Sequence, residues 1–189
     1  MKRRGFTLIE TLVAISLLSV AIVTPMSLAS QSLAAAYYSR DQVTAYHLAQ
    51  EAIETLRSIR DGRILGIALT GVTLDIFDPS IIPIDEPFRI DVRLNPTHSD
   101  AIVECSEDGG TCISLQTNGT LYGYRPTSDP SDTGWTTTRF TRTVRVSAVG
   151  VNEFRVTVTI TWQTGAFKVR TFSISENMYR WTKDSVSQT

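Results

Sequence analysis

The chain has 189 residues, 20% of them charged, and a formal net charge of -1. That balance argues against a polyanion binder, which needs a basic patch. Two His and two Cys residues leave little material for a metal or catalytic centre, and no Ser/His/Asp, Cys/His or paired-carboxylate arrangement supports an enzyme.

Lys2, Arg3 and Arg4 open the chain, and no charged residue follows between Glu10 and Arg40. A bilayer core about 30 Å thick needs roughly 20 apolar residues as helix, and this stretch is long enough. The basic start leaves the N-terminus cytoplasmic and sends the rest outward. One reading is a secretory signal peptide cut near Ala34–Ala36. A second is a plain signal anchor. Glu10 counts against both, because a carboxylate in an apolar run costs about 2.5–3.5 kcal/mol at mid-helix and usually marks function.

A third reading uses more residues. Gly5-Phe6-Thr7-Leu8-Ile9-Glu10 resembles the processing motif of type IV prepilins and of the related pseudopilins of type II secretion. The resemblance implies cleavage between Gly5 and Phe6 by a membrane prepilin peptidase, which then N-methylates Phe6. Cleavage leaves an amine with a reference pKa of about 7.7–8.0, mostly cationic at neutral pH. The family implies that Glu10 pairs with the amine of a neighbouring subunit and sets register during assembly. A contact with its own amine is the alternative. The resemblance also implies an inner-membrane chain with one span and its head outside, later part of a periplasmic or extracellular filament. The implied partners are other pilin or pseudopilin subunits.

The helical pattern runs on. Val43, Tyr46, Ala49, Ile53, Leu56 and Ile59 or Arg60 recur at three- and four-residue spacing, and Ala45, Leu48 and Ala52 widen the stripe. Gly62, after Arg57, Arg60 and Asp61, reads as the stop. Pro25 is expected to kink the helix. Glu10-Thr11-Leu12, together with Leu48-Ala49-Gln50-Glu51-Ala52, is similar to minor pilins of the V type and minor pseudopilins of the I type. A plain amphipathic helix is the other reading. The expected organisation is a leader over 1–5, a membrane and assembly helix over 6–36, its amphipathic continuation over 37–61, a connector over 62–87 and a β-rich head over 88–189.

Gly62, Gly66, Gly71, Pro79, Pro83 and Pro87 punctuate the connector, where Ile76 and Phe77 are expected to dock on the head. Strands are expected over Phe88–Leu94, at Ile102-Val103 and Ile113–Leu115, over Leu121–Tyr124, at Val144 and Val146, and over Phe154–Trp162 and Phe167–Ile174. Gly150-Val151-Asn152 suits a hairpin, and Gln163-Thr164-Gly165-Ala166 a turn. The pattern predicts an antiparallel meander covered on its apolar face by the second half of the helix. The fold class is α+β, with a long N-terminal α-helix packed on an antiparallel sheet, which agrees with a pilin-like fold.

Cys105 and Cys112 enclose Ser106-Glu107-Asp108-Gly109-Gly110-Thr111. Export to an oxidising compartment favours a disulfide between them, with buried free thiols as the alternative. His98 reads as an exposed loop residue. No metal or cofactor is expected. Asp75, Asp78, Asp85 and Glu86, and separately Asp129 and Asp132, invite a calcium reading, but neither stretch has EF-hand spacing. They read as solvated turn carboxylates. Tyr37 and Tyr38 suit the membrane–water boundary, Trp162 the core, and Trp135 a loop; Trp181 and the pair Tyr122/Tyr124 carry no assigned site. The expected function is that of a non-enzymatic structural subunit, minor by its resemblance, of a type IV pilus or type II secretion pseudopilus. The alternative is a membrane-tethered module that binds a surface, DNA or an exported protein without entering a filament.

Overall fold

The computed structural model describes residues 5, 7–72, 75–105, 112–125, 134–164 and 168–180. The chain divides between Gln42 and Val43 into two compact units. A single helix, α1 (Leu8–Thr70), supplies nearly all described residues of the first unit and opens the second. Pro25 lies inside α1 without ending it.

In the second unit, α1 buries Ala45, Leu48, Ala49, Ala52, Ile53, Leu56 and Ile59. The buried stripe is rotated from the expected one: Val43 and Tyr46 stand at its margin, 56% and 40% exposed. The stop also differs. Gly62 is helical, and α1 runs on until Gly71, whose φ of 66° ends it while its N–H still bonds the Ile67 carbonyl at 2.9 Å. A glycine adopts that left-handed backbone without strain, so Gly71 is the C-terminal cap. The extra turns are held by Arg63, which reaches the Asp75 carbonyl and, at 3.2 Å, the Asp78 carboxylate. The stretch after α1 docks on the head through Ile76, Phe77 and Ile82, all buried. Phe77 stacks on Phe154 at 4.2 Å.

Among the described residues, seven strands form one sheet: β1 (Pro87–Ile90), β2 (Ile102–Glu104), β3 (Ser114–Thr117), β4 (Tyr122–Gly123), β5 (Thr136–Gly150), β6 (Glu153–Thr164) and β7 (Lys168–Tyr179). All paired strands are antiparallel. β5, β6 and β7 make the expected meander. The rest does not follow it. β5 is 15 residues long, enough to carry two short strands end to end on its other edge, β1 near Val144 and β3 near Thr137 and Thr141. The first strand stops at Ile90 because Asp91 turns the chain, accepting the Arg93 N–H at 3.2 Å. Val92 and Leu94 therefore fall in a turn, not in a strand.

One sheet face carries Phe140, Val144, Val146, Phe154, Val156, Val158, Ile160 and Trp162, all buried. The opposite face carries hydroxyls in cross-strand pairs, such as Thr157 with Ser175 at 2.9 Å and Thr159 with Ser173 at 3.2 Å. Such pairs stabilise a sheet whose outer face meets water. At the margin Arg57 grips Glu176 with two donors, Nε at 2.8 Å, and the carboxylate holds the guanidinium pKa above its ordinary value.

Candidate processing and assembly site

α1 begins at Leu8, and Thr7 caps it. The Thr7 Oγ1 accepts the Glu10 N–H at 3.3 Å, and the Thr7 carbonyl accepts the Thr11 N–H at 3.2 Å. Thr7-Leu8-Ile9-Glu10 thus has the spacing of a capping box, with its carboxylate in the first turn, where the helix dipole favours negative charge. Sequence reasoning assigned Glu10 a partner in another chain and missed this local role. The T-x-x-E spacing was the signal.

Every residue from Leu8 to Ala36 is exposed. Five hydroxyls in this run turn inward on their own helix: Thr11 to the Leu8 carbonyl, Ser16 to Val13, Ser19 to Ile15, Thr24 to Val20 and Ser30 to Met26, at 2.8–3.0 Å. Polar groups satisfied in this way are compatible with a bilayer or an apolar helix bundle. The outer surface left over is mostly Leu, Ile, Val, Ala and Met. The helix is long and apolar enough to cross a membrane, and its most apolar stretch has no buried residue. Among the described residues, no side chain meets the Glu10 carboxylate.

Gly5 is exposed, and nothing lies within 4 Å of where a Cβ would stand. The backbone there is open to close approach. Phe6 and the basic residues Lys2, Arg3 and Arg4 lie outside the described residues.

Residues 1–24 match the prokaryotic N-terminal methylation motif. The match supports a type IV prepilin or pseudopilin, and with it a substrate of prepilin peptidase that assembles with other pilin subunits. The exposed apolar helix fits anchoring in an inner membrane before filament entry. No curated protein and no solved structure matches the chain.

The head brings together a second set of groups that sequence reasoning did not assemble. Arg142 is fully buried beneath α1 and donates to the Leu48 carbonyl at 3.1 Å, the Ile90 carbonyl at 2.6 Å and Glu51 at 3.1 Å. It shares a register with Phe140, Val144 and Val146, and that apolar register was the signal that it points inward. Asp91 is 2% exposed. It binds Arg93 through both oxygens, at 2.9 and 2.6 Å, and accepts the Tyr124 N–H at 3.1 Å. Arg93 closes the loop on the Tyr124 carbonyl at 2.5 Å and lies over the half-buried Trp135 at 4.1 Å. Burial pushes the Tyr124 hydroxyl above its ordinary pKa. These are structural ties, and they fix the sheet to the helix and to its loops.

Cys105 and Cys112 are bonded, with their Cα atoms 4.7 Å apart; Gly109 and Gly110 lie outside the described residues. His98 is exposed, as expected, and its Nδ1 accepts the Asp100 N–H at 3.1 Å. Trp162 is core, and Tyr37 is 51% exposed beneath Arg40. Asp75 and Asp78 are engaged within the chain. Asp75 binds Arg180 at 2.9 Å and the Phe77 N–H at 3.0 Å. Asp78 binds Arg63 and the Ser80 hydroxyl and N–H. Among the described residues, no group of three metal-ligating side chains assembles. Asp129, Asp132, Trp181 and Gly165–Phe167 lie outside the described residues.

Proposed function

We propose that the chain is a structural subunit of a type IV pilus or type II secretion pseudopilus, with a minor role. In this reading prepilin peptidase cuts between Gly5 and Phe6 and methylates Phe6, and residues 6–36 enter the filament core. Residues 37–61 join that helix to the export-side head. Glu10 meets the cationic amine of a neighbouring subunit. One observation carries the reading: a wholly exposed apolar stretch of helix has most of its hydroxyls satisfied internally and a single carboxylate near its start. A lone carboxylate in an apolar assembly needs a cation, because an uncompensated buried charge is strongly destabilising. The new amine is the nearest cation that processing creates.

Mass spectrometry of the mature N-terminus tests it. A chain beginning at methylated Phe6 and recovered in sheared filaments is the expected result. A start near Tyr37 would overturn processing. Correct processing with the chain kept in membrane fractions would favour the tethered binding module instead.

A further inference from the structure

Among the described residues, the last strand of the head, β7, pairs with β6 alone, without a register shift from Lys168 to Tyr179. It contains no Pro and no Gly. Arg180 continues the ladder, its N–H donating to the Asn152 carbonyl at 3.0 Å. The even-numbered residues of β7 therefore bond β6. Val169, Thr171, Ser173, Ser175 and Asn177 turn their N–H and C=O groups to the open edge. Natural sheets blunt such edges with bulges, prolines, short strands or charged side chains; of these β7 has only the last, in Lys168, Arg170 and Glu176.

We propose that this edge is a homophilic docking strand, which takes β7 of a second copy in antiparallel register with Ser173 facing Ser173. Only an alignment of odd with odd residues satisfies the open backbone groups on both strands. In this register Arg170 falls opposite Glu176 twice, by symmetry. Phe172 falls opposite Ile174 and Thr171 opposite Ser175. Opposite charges and apolar pairs placed directly across a ladder are favourable. Phe172 and Ile174 are only half-buried in the single chain, and the second strand completes their cover. Glu176 keeps Arg57 on its other side, which a carboxylate's two oxygens allow.

The symmetry fixes how the two heads of such a pair are related. The twofold axis of a continuous antiparallel sheet stands normal to it, and the interface is isologous. That rotation reverses the part of α1 that lies on the sheet. The chain therefore enters the two heads from opposite directions. The partner is the same chain, met head to head. The inference does not depend on the filament reading.

Sedimentation of the full-length chain in detergent, over a concentration series, tests it. Wild type dimerises. Arg170→Glu and Glu176→Lys each weaken the dimer about tenfold or more, since each places two like-charge pairs across the ladder. Mixing these two variants restores it, because both pairs become opposite again. Ser173→Pro removes an outward N–H, leaves the β6 ladder whole and abolishes the dimer. Hydrogen exchange at Thr171, Ser173 and Ser175 slows on dimerisation, while circular dichroism confirms folding. If Glu176→Lys misfolds for want of an Arg57 partner, Arg170→Glu and Ser173→Pro decide alone. A chain that stays monomeric, a dimer that survives Ser173→Pro, or capture only of a strand from another protein overturns the proposal.

Discussion

Arg142, in the middle of β5, donates to the main-chain carbonyl of Leu48 at 3.1 Å, so a fully buried guanidinium ties the sheet to the helix from inside the core. The same group satisfies the Ile90 carbonyl and meets Glu51. Arg142→Ala removes every one of these ties and opens a cavity. Breaking a buried charged network by one partner costs about 3–5 kcal/mol, and urea unfolding should show that loss as a lower midpoint with an unchanged slope. Arg142→Met keeps the volume and should lose less.

Gly123 makes room for another guanidinium. A Cβ at this position would stand 2.3 Å from the Arg93 Nε, so Gly123→Ala must displace Arg93 from Asp91 and from the Tyr124 carbonyl. Asp91 would then be a buried carboxylate without its cation. We expect a loss of about 2–4 kcal/mol, as for charged hydrogen bonds broken in a core. Thermal unfolding of Gly123→Ala should resemble that of Arg93→Met, and the two together should cost little more than either alone.

The pH profile of head stability has one contribution at each end. Asp78 is held below its ordinary pKa by the Ser80 hydroxyl first, then by the Ser80 N–H and Arg63. Its contribution is present above the unfolded pKa, about 3.9, and is lost as pH falls through the lower folded value. Asp78→Asn should flatten the acid limb. Tyr124 is raised by burial. The folded chain keeps it neutral while the unfolded chain ionises, so stability holds below about pH 10 and falls above it. Its hydroxyl has no hydrogen-bond partner among the described residues, so Tyr124→Phe should be nearly neutral at pH 7 and flatten the alkaline limb. Chemical denaturation from pH 3 to 11 reads both.

The elements that were legible in the sequence are those whose periodicity depends on one partner. The hairpin at Gly150-Val151-Asn152 and the strict alternation from Phe154 to Trp162 predicted β5, β6 and their buried face. The helix stripe predicted a cover for that face, and Gly5-to-Glu10 carried the resemblance that the match of residues 1–24 to the methylation motif supports. What stayed hidden depends on distant partners. Gly62 looks like a stop until Arg63 is seen to reach Asp75 and Asp78, which keeps the next turns in place. Asp91 looks like one polar residue of a strand until Arg93 and Tyr124 surround it. The pairing of both β1 and β3 with β5 follows from the length of β5, and local pattern says nothing about how many short strands a long one carries.

The last prediction separates two roles of Glu10. Its N–H bonds the Thr7 hydroxyl, and its carboxylate lies in the first turn of α1, so a capping contribution alone would justify the residue. Thr7→Ala removes the cap and should cost the helix start about 1 kcal/mol while leaving processing and charge intact. Glu10→Gln keeps an acceptor at the capping position and removes only the charge. If Glu10 serves as a cap, Glu10→Gln assembles and Thr7→Ala is impaired. If it meets a neighbour's amine, Glu10→Gln fails as Glu10→Ala does, and Thr7→Ala assembles. The mature N-terminus should begin at Phe6 in all three variants, measured by mass spectrometry, with subunit recovery in sheared filaments as the readout of assembly. We expect Glu10→Gln and Glu10→Ala to fail together, since the dipole interaction at a helix start is worth about 0.3–1 kcal/mol at exposed sites, whereas an unpaired charge left in a dry bundle is worth several times more.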